Sequence, residues 1–207
     1  MPSFLWHIFF KHIDIKQLIM EAKSQLFFKA LQFAAYRHRF SKTKNEEPYI
    51  NHLINVCSLL VETGGISDSE ILITGILHDI LEKTNTKASE LTVLFGEKIT
   101  ALILELSDLG SETEKEKWEN QLKKIDKLNS GAKVIKLADK IENVRYILSY
   151  PPKGWDMERR IIYLDWSEKI INALRGTNIK LELYFDNLLA TAKLNNPMIS
   201  RSFQAKN

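Results

Sequence analysis

Few features of this 207-residue chain stand out at first reading, and each absence narrows its function. Cys57 is the only cysteine, which excludes an intrachain disulfide and a cysteine-type zinc site and suits a reducing compartment. Charge of one sign is scarce: 29 basic against 26 acidic residues leave +3, with no concentrated basic run to grip a nucleic-acid duplex. No apolar run is long enough to span a membrane. The conspicuously apolar Ser3–Phe10 lacks the basic flank and small-residue cleavage site of a signal peptide, and reads as a packing arm or dimer contact. No trustworthy strand alternation and no internal repeat occur. The expectation is a cytoplasmic protein with no nucleic-acid or membrane partner, free to form a homodimer.

What is present is helical periodicity nearly throughout, so the fold is expected to be all-α and a single domain. Asp14 is placed as the cap of a segment running to about Phe40. Pro48 suits the first turn of a second helix ending at Gly64-Gly65. Ser67 with Glu70 forms a capping-box pattern opening a third, unbroken to Asn85-Thr86. Short helices over 88–95 and 97–106 flank Gly96. The charged stretch 110–127 reads as a loop leading into a solvated helix. Longer helices are expected over 130–148, 156–174 and 178–194, with a frayed tail beyond. Residues 1–20 read as an apolar extension, 21–194 as the domain and 195–207 as a polar tail.

The third helix carries the chemistry in Gly75-Ile-Leu-His-Asp-Ile-Leu-Glu-Lys-Thr84. On a helical wheel Asp79 lies about 100° and Glu82 about 40° from His78, a polar stripe on an otherwise apolar helix. A buried histidine paired with carboxylates, or a solvated face, would account for that stripe alone. Two further segments add to it. Pro48-Tyr-Ile-Asn-His52 places a histidine in a first helical turn, and Lys136-Leu-Ala-Asp-Lys140 places an aspartate within an apolar-periodic helix. Asn143 falls one turn beyond Asp139. His52, His78, Asp79 and Asp139 together form a set of two histidines and two aspartates from three helices. Imidazole with carboxylate and no thiolate suits a hydrolytic Mn²⁺, Fe or Zn²⁺ site with room for water. A divalent cation would offset the cost of burying the His-Asp pair.

The ordered set His…His-Asp…Asp resembles the signature of the HD superfamily of metal-dependent phosphohydrolases. Ala34–Arg39, PYINH at 48–52, HDILEKT at 78–84, Phe95-Gly96, KLADKIENVR at 136–145, Gly154-Trp155 and Arg175–Asn178 narrow the likeness. They resemble the hydrolase domain of Rel/Spo alarmone enzymes, and more closely the stand-alone small alarmone hydrolases, over about residues 22–190. A synthetase domain is not expected within this length. The resemblance implies an HD-domain helical bundle holding one Mn²⁺ through His52, His78, Asp79 and Asp139. It implies removal of the 3′-pyrophosphate from guanosine tetra- or pentaphosphate, giving GDP or GTP. Glu82 would orient or deprotonate the attacking water, with Asn143 beside it. Arg37, Lys44, Lys140, Asn143, Arg145 and Tyr163 match substrate-contact positions. Arg37 and Lys44 read equally as surface charges, and Tyr163 as a core aromatic.

Three departures accompany the resemblance. Lys83 stands where the family has a second acid. Ser107–Glu114 replaces a Thr-Asp-Asp-Lys loop, keeping Asp108 and putting Glu114 in place of a cation. The loop before PYINH is shorter, with Lys42, Thr43 and Lys44 in place of a denser basic cluster. Two alternatives follow. One is a phosphohydrolase of another nucleotide, such as the 2′-phosphate of NADPH. The other is a non-catalytic nucleotide-binding protein.

Overall fold

A computed structural model describes residues 15–108, 110 and 113–204. Asp14 and the apolar stretch at 3–10 lie outside the described residues. Those described are helical, with no strand among them beyond an isolated bridge between Lys42 and Pro48. Helix α1 (Ile15–Arg37) buries Ala30 and Ala34, small residues that let it approach its neighbour closely. Pro48 precedes α2 (Ile50–Ser58), and a π-turn over Leu59–Thr63 carries the chain to Gly64 and Gly65. Gly65 has a φ of 69°, the left-handed geometry that glycine allows without steric cost.

Helix α3 (Ser69–Leu77) is capped by Asp68, whose carboxylate accepts the backbone N–H groups of Glu70 and Ile71. The cap therefore falls one residue beyond the expected Ser67, at Asp68, whose third following residue, Ile71, has no carboxylate to complete a box. The expected unbroken helix also divides. α3 ends at Leu77 and a four-residue turn, α4 (Ile80–Lys83), restarts beyond the His-Asp pair. Asp79 sits at φ −97°, ψ 3°, a bridge-region geometry that wheel arithmetic does not anticipate.

Helices α5 (Ala88–Phe95) and α6 (Glu97–Leu106) flank Gly96 as expected. α7 (Glu114–Lys124) opens with a complete capping box between Thr113 and Glu116. A 3₁₀ turn, Ile125–Lys127, then leads into α8 (Ser130–Ser149). α9 (Met157–Ala173) and α10 (Ile179–Asn195) are capped by Asp156 and Asn178. The stretch expected to fray instead forms α11 (Pro197–Gln204), because Ile199 is buried in the core.

Helix α8 is the axis of the bundle. It packs on α2, α3, α6, α9 and α10, and buries Ile135, Leu137, Ala138 and Ile141 completely. Each isoleucine or leucine so buried contributes about 2 kcal/mol. α1 packs on α3, and α2 lies against both α3 and α8. At Gly75 an added Cβ would stand 3.0 Å from Leu60 Cδ1 and 3.2 Å from Cys57 Sγ. That close approach brings the end of α3 alongside α2, and so sets His78 beside His52.

Candidate active site

Three helices deliver the ligating atoms. His52 comes from the first turn of α2, His78 from the end of α3 and Asp139 from the middle of α8. The two imidazole rings stand 5.5 Å apart at a 62° angle. His52 Nε2 lies 3.3 Å and His78 Nε2 3.8 Å from Asp139 Oδ1. One ligand atom from each of the three lies within 4.8 Å of the others. Asp79 is adjacent but outside that tighter group: its Oδ2 is 3.6 Å from His78 Nε2 and accepts the hydroxyl of Tyr49.

The polar bookkeeping points to a cation. Both Nε2 atoms are buried and have no hydrogen-bond partner. His78 Nδ1 is 2.8 Å from the carbonyl of Gly75 and donates its proton there, which turns Nε2 toward the two aspartates. Burial pulls the His78 pKa down, but Asp79 and Asp139 outweigh it and raise the pKa to about 9. Burial pushes the Asp139 carboxyl up, yet Lys140 and the two histidines hold it well below the usual range. His78 thus holds a proton on Nε2 near neutral pH when no cation is bound, and a divalent cation can take that proton's place between two imidazoles and two ionised carboxylates, a donor set that fits one.

Supporting contacts orient these donors. Asn143 Nδ2 donates to Asp139 Oδ1 at 2.6 Å and to its carbonyl at 2.9 Å. Lys140 Nζ is 3.5 Å from Asp139 Oδ2 and lies over the Trp166 ring. Tyr49 carries further weight. Its hydroxyl serves Asp79, its ring lies against buried His38, and Lys83 Nζ sits 4.9 Å above it. Burial lowers the His38 pKa to about 4, so that ring is neutral near pH 7. Tyr49→Phe keeps the ring and removes only the donor to Asp79. It is expected to weaken divalent-metal affinity roughly 10–100-fold, as loss of an outer-shell partner does. Metal titration by calorimetry checks this, and an unchanged affinity would remove Tyr49 from the site.

Two adjoining cavities open here. One, of about 220 Å³, is walled by Tyr146, Trp155, Pro152, Asn51, Asn55 and Glu142, with His52 at its edge. The other, of about 250 Å³, contains Asp79, Glu82, Asp139, Lys117, Lys136 and Lys140. Lys44, Tyr49, Lys83, Asn143 and Tyr163 line both. Of the sequence candidates, Lys44, Lys140, Asn143 and Tyr163 are thus brought together with the histidines and aspartates. Lys44 lies over the Trp155 ring at 4.2 Å, and burial lowers its pKa. Arg37 and Arg145 line neither cavity. Arg37 pairs with Glu90 and packs on Phe33, and Arg145 pairs with Glu142 at 2.6 Å.

Glu82 reaches the second cavity in unexpected company. Its Oε1 accepts the Asp108 backbone N–H at 2.9 Å and its Oε2 accepts from Lys117 Nζ at 2.5 Å. Asp108 is buried among Gln121, Lys124 and Lys136, so it knots the loop after α6 to α7 and α8. Glu114 lines the same cavity and pairs with Arg159 at 3.1 Å. Tyr49, His38 and Lys117 were missed by sequence reasoning. Tyr49, inside the PYINH segment, and His38, inside Ala34–Arg39, lay within motifs that pointed toward them, whereas Lys117 carried no such signal.

Comparison with known proteins agrees with this geometry. The profile of the HD domain family matches residues 30–163. The guanosine-3′,5′-bis(diphosphate) 3′-pyrophosphohydrolase MESH1 of Drosophila melanogaster is 38% identical over 167 residues, covering 80% of this chain and 93% of the relative. The human protein of the same name is 34% identical over 165 residues, covering 79% and 92%. A solved structure described as a metazoan ortholog of SpoT that hydrolyzes ppGpp superposes with a TM-score of 0.77 at 38% identity, over 80% of this chain and 94% of that one.

Proposed function

The chain belongs to the HD domain family, and from that premise we propose that it is a metal-dependent hydrolase of guanosine 3′,5′-bis(diphosphate). It removes the 3′-pyrophosphate and leaves GDP, or GTP from the pentaphosphate. The observation that carries this reading is the pair of buried, unpartnered Nε2 atoms facing Asp139 beside a lysine-lined cavity. The relatives that share most of the chain's length carry that activity in their names.

His52, His78, Asp79 and Asp139 would hold the cation, which we take to be one Mn²⁺ per chain, and it would supply a water of lowered pKa and polarisation of a phosphoryl oxygen. The remaining work falls to side chains. Asn143 fixes the Asp139 carboxylate, and His78 is aimed by Gly75. Glu82 takes the proton of the attacking water. The water oxygen bonds to the phosphorus attached to O3′, the P–O3′ bond breaks, and its electron pair stays on O3′, which takes up a proton from solvent to become the 3′-hydroxyl. Lys44, Lys83 and Lys140 supply positive charge for the phosphate oxygens. Tyr146 and Trp155 offer flat apolar surface to a nucleobase.

Product analysis of purified protein with guanosine tetraphosphate tests the reading. GDP and pyrophosphate are expected with Mn²⁺ and neither with chelator. Absence of product from metal-loaded protein would overturn it. A second reading, another nucleotide such as NADPH losing its 2′-phosphate, draws support from Glu114. That carboxylate lines the second cavity and pairs with Arg159 outside it, so it sets negative charge beside a long phosphate tail. A substrate panel on the same sample separates the two.

We also place the protein in the cytoplasm, as its lone buried cysteine suits a reducing compartment. No described helix is long and apolar enough to cross a membrane. A homodimer is in keeping with the exposed Met20 and Phe28 on α1.

A further inference from the structure

The acceptor positions of Glu82 are taken on two sides, and its two partners differ in kind. The Asp108 backbone N–H belongs to a residue tied down by Gln121, Lys124 and Lys136. That donor stays where it is. Lys117 reaches in from α7 on a flexible four-carbon stem, with its side chain 37% exposed against 11% for Glu82. Lys117 is therefore the partner able to leave. Burial works against its charge, but the hydrogen bond and attraction to Glu82 prevail and raise its pKa, so it remains an ammonium. It lines the cavity that holds Asp79, Asp139 and Lys140. A pyrophosphate entering that cavity offers several oxygens and more charge than one carboxylate, and so competes for the ammonium.

We propose that Lys117 is a substrate-exchanged cation: it leaves Glu82 for the terminal phosphate of the 3′-pyrophosphate, and its departure frees Glu82 to receive a proton from the attacking water. This rests on the hydrolase reading above and deepens it. No covalent bond changes in the exchange itself. One charge-assisted hydrogen bond, ammonium to carboxylate, is replaced by another, ammonium to phosphate. In hydrolysis the proton then passes from water to Glu82 while the P–O3′ bond breaks. The arrangement ties activation of the base to the presence of the group being removed. A nucleotide without that phosphate leaves Glu82 paired.

The test is steady-state kinetics of wild type, Lys117→Met and Lys117→Arg at saturating Mn²⁺, with pyrophosphate and GDP as inhibitors. Lys117→Met is expected to raise KM for guanosine tetraphosphate and Ki for pyrophosphate about tenfold, while kcat stays within about threefold and Ki for GDP within about twofold. Lys117→Arg, which keeps the charge, is expected to recover most of the lost affinity. A lysine that merely props Glu82 gives the opposite split, with kcat falling and KM and both inhibition constants unmoved. That result overturns the proposal, as does no change in any constant. If wild type releases no pyrophosphate, the hydrolase reading fails on its own account. Calorimetric binding of pyrophosphate then decides the exchange: binding weakened about tenfold by Lys117→Met supports it, and equal binding overturns it.

Discussion

Replacing His78 with alanine is expected to abolish metal binding and hydrolysis together. The imidazole is wedged between Asp79 Oδ2 at 3.6 Å and Asp139 Oδ1 at 3.8 Å, and its other nitrogen is anchored on Gly75. Its removal deletes a ligand and leaves the aspartates with no cation between them. Outer-shell partners of a metal site typically cost 10–100-fold when lost, so loss of a ligand is expected to lower turnover by more, on the order of 10³-fold. Calorimetric metal titration, pyrophosphate release and circular dichroism on the same preparation check this. Retained activity in a folded variant would exclude the site. Loss of activity with metal affinity intact would assign His78 to substrate instead.

The residues of that centre were legible because each sits in a short local word: PYINH, HD and KLADK. Helical periodicity placed the words on separate helices, and the bundle then had only to bring three helix positions together. The break at His78-Asp79 was not legible, because wheel arithmetic assumes an uninterrupted helix. Asp79 departs from it with ψ near zero while its carboxylate accepts the Tyr49 hydroxyl across 30 residues of sequence. Distance along the chain hid the rest of the site too. Lys117 is 35 residues from Glu82, in a segment whose composition reads only as solvated helix. Arg37 shows the converse. Its place in the Ala34–Arg39 word suggested a substrate contact, whereas Glu90, from α5, draws it away from both cavities. The ends of helices were legible where side-chain chemistry was local, as at Asp156 and Asn178, and slipped at Ser67, where Asp68 next door takes the cap.

Lys83 is where the chain departs most sharply from the resemblance, and its contacts select among the roles open to a cation there. It forms no ion pair with Asp79. Its ammonium lies over the Tyr49 ring, on the wall shared by both cavities. Burial pushes the Asp79 carboxyl up, while His78 and then Lys83 pull it down, with the balance below the usual range. Lys83 thus helps keep Asp79 ionised without pairing with it, and presents its charge on the wall shared by the two cavities, where the proposed function puts the substrate. Lys83→Asp reverses that charge beside a polyanionic substrate. The expected result is a rise in KM for guanosine tetraphosphate of roughly 10–100-fold, the 1.4–2.8 kcal/mol that a charge reversal at a partly solvated contact implies. GDP inhibition, which reads fewer phosphates, should weaken less. A gain in kcat would instead identify Lys83 as a brake on turnover, and restoring the acid would then have repaired the hydrolase. The two outcomes separate a site retuned for binding from one drifting out of catalysis, because only the first loses affinity when the lysine is removed.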